Sequence, residues 1–337
     1  MSTNPAFFAE DTIDDLMRSV IESTQKSGRP NSASRGATRE LTGVLLELRN
    51  PRARLSLTES RGRPFSCLGE LCWYLAASDD VEFISYYLPP YRDEAEDGVI
   101  FGAYGPRLFR MRGTFDQVQN VTQLLRDKPA TRRAVIQLFD AADLVGSHHE
   151  VPCTCTLQFL LREGSLHLLA SMRSNDVIVG LPHDIYCFTM LQEMLARELN
   201  VELGGYKHAV GSLHVYDDDA EEATKFLDEG LQSTKSPMPS MPLGSPLASI
   251  DTLLKAEKEI RLGDSKSFRI AEDLDPYWMD LVRMLLAFRY IKDGRIDEIA
   301  ALRNELSFGG FRPFVDKHIR RLRERLGGES PTDVSHS

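Results

Sequence analysis

The chain has 337 residues, 42% hydrophobic and 27% charged, with a formal net charge of −10. Such usage is ordinary for a folded chain and excludes disordered, collagenous and low-complexity classes, while the length suits one large domain with an appendage. The acidic balance argues against a nucleic-acid polymer as partner, yet a few local arginines suffice to hold one phosphate.

In chain order, Ile13, Leu16, Met17, Val20 and Ile21 recur at helical spacing. They predict a helix over 11–26 with Asp11 or Thr12 as its cap. RELTGVLLEL at 39–48 reads as a strand. PFSCLGELCWYLAA at 64–77 is apolar nearly all round and reads as a buried helix. Residues 79–112, with Pro89-Pro90 and several glycines, read as irregular surface connections. An amphipathic helix is expected over 115–128 and a strand over 133–139. The clearest local signal is a pair of strand-like runs, 153–162 and 165–174, around Glu163-Gly164, a plausible hairpin turn. A long helix over 183–199 after Pro182 and a strand over 206–216 follow. QSTKSPMPSMPLGSPLAS at 232–249 is rich in Pro and Ser without a period, as a linker or wrapped surface segment would be. Helical patterns occupy about 250–261, 276–292, 295–307 and 313–326. The expected organisation is a strand-and-helix core over 1–231, a linker over 232–249, a helical region over 250–326 and a polar tail over 327–337.

No apolar run is long enough to span a bilayer, and MSTNPAFFAEDTIDD at the start resembles no secretory signal. Cys67, Cys72, Cys153, Cys155 and Cys187 show no disulfide-framework spacing, so a reducing, cytoplasmic compartment is the simpler expectation. Cys153 follows Pro152 beside a loop with His148 and His149. A buried core cysteine is the common reading for such a residue; a nucleophile needs nearby cations or hydrogen-bond donors. Arg173-Ser174-Asn175-Asp176 offers a cation, a hydroxyl and a carboxylate at a strand end, and is otherwise a solvated terminus. His214 and Tyr216 alternate along one strand and face the same way, to bind a sugar hydroxyl or merely to decorate a sheet. Glu70, inside an apolar helix, must be paired or functional. Cys153-x-Cys155 lacks a second ligand pair, so no metal is expected, and no glycine-rich phosphate loop occurs.

Taken in order, these residues carry a resemblance. VPCTCTLQFLLREGSLHLLASMRSNDVIVGLPHDIYCFTMLQEMLARELN followed by GSLHVY resembles the thymidylate synthase superfamily, as do Arg35-Gly36-x-Thr38, Gly69-Glu70-Leu71-x-Trp73-x-Leu75, Tyr104-Gly105 and Arg132-Arg133. The likeness covers about residues 10–230. It implies an α+β, thymidylate synthase-like fold: a large twisted mixed sheet with helices packed on it, one sheet face forming a homodimer interface. It implies a Cys thiolate adding to C6 of a pyrimidine nucleotide, with 5,10-methylenetetrahydrofolate donating a one-carbon unit to C5.

Carried across, Cys153 is the nucleophile, with Glu70, Asp184 and Tyr104 in the catalytic set. Arg35, Arg173 and Ser174 hold the 5′-phosphate, joined by Arg132 and Arg133 from the other subunit. His214 and Tyr216 hold the ribose and Gln158 belongs to the substrate site, while Asp176, Gly180, His183 and Tyr216 face the folate. The arginines are expected to favour the Cys153 thiolate. The departures are informative. Asp184 stands where synthases carry Asn; an ionised carboxylate is acceptor-only, which suits the amine of cytosine and a protonated N3 rather than O4 of uracil. Thr154, Met172 and Ser212 replace the usual His, Gln and Asp, and ISYYLPPY lacks the tryptophan that flanks folate. The sequence is therefore most similar to the cytidylate hydroxymethylase branch, and within it to the CMP enzymes of mildiomycin-type antibiotic biosynthesis. A dCMP hydroxymethylase, a thymidylate synthase and a non-catalytic nucleotide-binding homologue are the alternatives.

Overall fold

A computed structural model describes residues 7–33, 35–263, 267–271 and 273–328. Met1–Leu254 and Lys255–Ser337 are two compact units. The first begins with strand β1 (Phe7–Glu10) and helix α1 (Ile13–Ser27). Thr12 caps α1, its hydroxyl oxygen accepting the Asp15 N–H at 3.1 Å. The helical stripe Ile13, Leu16, Met17, Val20 and Ile21 is buried, as its spacing predicts. Next come β2 (Arg29–Ala33), β3 (Gly36–Leu48) and α2 (Pro64–Leu75), the last buried at almost every position.

Residues 79–112 are more ordered than expected. They form α3 (Val81–Tyr87), a 3-10 turn at Pro89–Glu94 and α4 (Tyr104–Phe109). Asp80 caps α3 through the Glu82 N–H at 2.9 Å, while Val81, Phe83, Ile84 and Tyr87 are buried. A helix of six or seven residues completes fewer than two turns, too few for periodicity to stand out among the prolines and glycines.

Helix α5 (Gln117–Asp127) leads to β4 (Val135–Gln137), shorter than expected. Strands β5 (Thr154–Arg162) and β6 (Ser165–Asp176) form the expected hairpin. Glu163 and Gly164 adopt φ of 49° and 77°, the pair of positive angles that a two-residue turn matched to strand twist requires. Helix α6 (Gly180–Glu198) starts three residues before the expected point, because Asp176 accepts the N–H groups of Ile178, Val179 and Gly180 and organises the first turn. Pro182 falls inside that turn, where a missing N–H costs nothing. Strand β7 (Glu202–Tyr216) and α7 (Ala220–Asp228) follow. The sheet order is β1-β3-β7-β6-β5-β4 with β2 on β3; β1/β3 and β6/β7 are parallel and the other pairs antiparallel. Strands β1 and β2 and helix α7 lie outside the sequence-based expectations.

The Pro- and Ser-rich segment is bound down rather than free. Met238 and Met241 are buried, and the Met238 N–H donates to the Arg52 carbonyl at 2.9 Å. The Met241 N–H donates to Glu193 at 3.0 Å while its carbonyl accepts from Arg197. Glu193, fully buried, also pairs with Arg52 and Arg54, and these cations hold its carboxyl below the usual range against the opposing effect of burial. Helix α8 (Leu247–Leu262) precedes the helices of the second unit, α9 (Pro276–Lys292), α10 (Ile296–Glu305) and α11 (Arg312–Gly328). In that unit Asp280 accepts the N–H groups of Ser307 and Phe308 and pairs with Arg283, and Arg303 pairs with Asp316.

Candidate active site

The C-terminal end of β6, the start of α6, one face of α2 and the end of β7 surround a cavity of about 380 Å³. Antiparallel pairing of β5 with β6 sets Arg173 beside Cys153: the Arg173 N–H donates to the Cys153 carbonyl at 2.9 Å. The Arg173 guanidinium donates to the carbonyls of Val151 and Pro152, both at 3.0 Å, and reaches Cys153 Sγ at 3.7 Å. The thiol is nonetheless not a thiolate here. Burial pushes its pKa up to about 12, helped by Glu150 and Asp184, against the pull of Arg173 and Arg35. Desolvation outweighs the arginines, the reverse of the expected balance.

Behind Cys153, the Tyr104 hydroxyl accepts from the N–H and Oγ1 of Thr154 at 3.1 and 3.0 Å, and burial raises its pKa well above the ordinary value. Glu70 is 4% exposed and its carboxyl is met by phenols: Tyr74 and Tyr91 donate to Oε1 at 2.8 and 3.2 Å. Asp184, also buried, accepts from Asn175 Nδ2 at 2.7 Å through Oδ2. Burial foremost, then the nearby Glu70 and Asp176 charges, drive its carboxyl well above the usual range, opposed by the Asn175 bond. A carboxyl shifted in this direction holds a proton more readily, and when protonated it carries a donor as well as an acceptor. Gly180 serves this pair by close approach. A Cβ there would stand 3.1 Å from Asn175 Nδ2 and 3.8 Å from Asp184 Oδ2.

The His214 and Tyr216 rings meet edge to face, centroids 5.0 Å apart, on the cavity wall. Ser174 and Asp176 also line it, although both Asp176 oxygens already cap α6. His183 is a wall residue with both ring nitrogens engaged, by the Val179 carbonyl at 2.8 Å and Ser66 Oγ at 2.9 Å. Arg35 lines the cavity but is gripped by Glu94 at 2.7 Å and by Glu150, and these carboxylates outweigh burial and raise its pKa.

Four expected residues do not line this cavity, Arg173 among them, its guanidinium taken up by the Val151 and Pro152 carbonyls. Arg132 and Arg133 are exposed, and Gln158 donates to the Arg132 carbonyl at 3.0 Å instead of facing the cavity. Conversely, Tyr91, Glu94, Glu150, Asn175 and Asp219 line it and were not singled out from sequence. Asn175 lay in plain view as the variable position of Arg-Ser-x-Asp; nothing in the sequence pattern marks the others. Among the described residues no group of three or more His, Cys, Asp or Glu is placed to hold a metal ion, and no helix is long and apolar enough to cross a membrane.

This constellation sits on a chain whose residues 12–262 match the family model described as thymidylate synthase. The chain belongs to the thymidylate synthase family. The family match runs past residue 230, the limit of the sequence resemblance, through the Pro- and Ser-rich segment. That stretch packs without any periodicity that would reveal it. Curated relatives include a deoxyuridylate hydroxymethyltransferase of Bacillus phage SP01, 30% identical over 242 residues (66% of this chain, 63% of the relative). A deoxyuridylate hydroxymethyltransferase of Pseudomonas phage M6 is 31% identical over 190 residues (54% and 53%). A thymidylate synthase of Bacillus licheniformis is 33% identical over 159 residues (45% and 57%). The matches thus span less than two thirds of the length of these relatives.

Proposed function

We propose that this thymidylate synthase family member is a folate-dependent cytidylate 5-hydroxymethylase, acting on CMP in preference to dCMP. Cys153 Sγ adds to C6 of the pyrimidine, and the electron pair moves to C5. C5 then attacks the one-carbon unit of 5,10-methylenetetrahydrofolate, whose bond to N10 opens, so that the nucleotide is joined through that carbon to N5 of the folate. Loss of the C5 proton expels tetrahydrofolate and leaves an exocyclic methylene, to which water adds as Cys153 departs from C6. The product is a 5-hydroxymethylcytosine nucleotide.

The observation that carries this reading is the buried Asp184 facing the same cavity as Cys153. A carboxyl whose proton is tightly held can share that proton with N3 of cytosine while accepting from the 4-amino group. A proton at N3 draws electrons from C6 and assists attack by sulfur. It also answers the raised pKa of Cys153, because transfer of the thiol proton into the site accompanies addition rather than preceding it. Glu70, braced by Tyr74 and Tyr91, is the remaining carboxylate for moving water and the C5 proton. Arg35, Arg173 and Ser174 supply the phosphate contacts, His214 and Tyr216 the ribose contacts. Arg132 and Arg133 serve a second copy of the chain, consistent with their exposure outside their own cavity. Half-exposed Leu45, Leu160, Leu169 and Ala209 on the sheet suit burial in that homodimer.

A second reading is hydroxymethylation of a uracil nucleotide, the substrate base named for both phage relatives. Its support in this chain is the upward shift of the Asp184 carboxyl, which when protonated has a donor for O4. Incubation with CMP, dCMP, UMP and dUMP plus methylenetetrahydrofolate, read by product mass, separates these. Hydroxymethyl-CMP is expected; a hydroxymethylated uracil nucleotide favours the second reading, and a methylated one overturns both.

A further inference from the structure

We propose that Asn175 is a second base-reading residue: its side-chain oxygen accepts one hydrogen of the cytosine 4-amino group while its amide nitrogen holds Asp184. This rests on the cytidylate reading of the same cavity. Asn175 stands near the end of β6, opposite Leu213 of β7, and is 4% exposed. It lines the cavity. Its Nδ2 donates to Asp184 Oδ2 at 2.7 Å, whereas its Oδ1 is buried and has no partner among the described residues.

Buried polar atoms are rarely left unpaired, and an orphaned acceptor on a residue that lines the cavity calls for an N–H or O–H from what enters. The amide has one oxygen and one NH₂ end, and with the NH₂ end on Asp184 Oδ2 the oxygen is left for a different partner. Gly180 leaves the space in which that end sits, since any Cβ would crowd Nδ2 at 3.1 Å.

The 4-amino group of cytosine has two hydrogens, enough for Asp184 and Asn175 together. Uracil has no hydrogen at O4, so acceptor would meet acceptor at Asn175. An amide has no titrating proton in the accessible range, so this discrimination holds while the NH₂ end stays on Asp184 Oδ2. It restores the selection between bases that a protonated Asp184 by itself loses. Asn175 thereby both touches the base and positions the carboxyl beside it.

The test measures dissociation constants for CMP and UMP by calorimetry without folate, on the full chain and on Asn175→Ala and Asn175→Asp. The native chain should bind CMP at least about tenfold tighter than UMP, the size of one well-made hydrogen bond. Asn175→Ala should weaken CMP by about tenfold and leave UMP little changed. Asn175→Asp, which retains an oxygen, should keep more of the CMP preference than alanine does. A probe that needs no variant is N4-methyl-CMP, which lacks one amine hydrogen and should bind the native chain more weakly than CMP. An unchanged CMP-to-UMP ratio in Asn175→Ala, equal losses in both variants, N4-methyl-CMP binding as tightly as CMP, or a native preference for UMP would each overturn the proposal. Absence of C5 tritium release from either nucleotide in the presence of methylenetetrahydrofolate overturns the proposed reaction instead. The binding ratio still judges Asn175 in that case.

Discussion

Replacing Asp184 by asparagine converts the group that faces the base from an acid into an amide whose orientation is already decided. Asn175 Nδ2 donates to the side chain at position 184 from 2.7 Å, so the new amide must turn its oxygen towards Asn175. Its NH₂ then faces the cavity. Against cytosine this sets donor against donor at the 4-amino group, and one buried mismatch costs about 1–3 kcal/mol. Against uracil the same NH₂ gains a hydrogen bond to O4, worth about 1 kcal/mol. The swing in preference is therefore about 2–4 kcal/mol, or roughly 30- to 1,000-fold in the ratio of kcat/KM values. Tritium release from C5-labelled CMP and UMP measures it, because exchange requires Cys153 addition but not completion of the reaction. The native chain should release label from CMP, and Asp184→Asn should shift release towards UMP. A ratio that moves less than threefold, or towards cytosine, would show that position 184 does not face the base.

Three further outcomes are expected. Alkylation of Cys153 by iodoacetamide, followed by peptide mass, should be slow at neutral pH and rise about tenfold per pH unit to beyond pH 10, as a thiol with its pKa pushed up to about 12 requires; a plateau near pH 8 would refute the burial argument. Glu150→Gln removes one of two carboxylates competing for Arg35 and should tighten CMP binding a few-fold, about 1 kcal/mol, with weaker dependence on salt; weaker binding in the variant would mean that Glu150 helps to hold the nucleotide. Burial raises the Asp14 carboxyl from 3.8 to about 6 against the bonds from Ser56 and Leu57, so the folded chain binds this proton more tightly than the unfolded one. Native stability from Asp14 is then complete below about pH 4 and falls as pH rises towards 6. Relative to the native chain, Asp14→Asn should gain up to about 3 kcal/mol across that window in urea titrations, and a constant difference would exclude the coupling.

Cys153, Arg173, Ser174, Asp176, His214 and Tyr216 were singled out in the sequence by the family resemblance, and short-range order accounts for where the chain puts them. A strand alternates its faces, a two-residue turn fixes the hairpin register, and Pro152 marks the strand's start. The long amphipathic helices were legible for the same reason, since three or more turns repeat the burial pattern. Sequence alone also placed Asp184 as the residue most at odds with thymidylate synthases. Other features required the tertiary structure. Helices α3 and α4 are too short to show a period, and the bound segment around Met238 and Met241 has none. The ionisation of Cys153 and Asp184 depends on how completely neighbouring elements exclude water, and here exclusion outweighs the nearby arginines and hydrogen bonds. The grip of Glu94 and Glu150 on Arg35, and the lone acceptor of Asn175, arise between residues far apart in the chain or hidden inside a motif. Residue order thus determined which side chains reach the cavity from each strand and helix. Packing decided their protonation and partners, because desolvation and Coulomb interactions are set by distance and water exclusion in three dimensions.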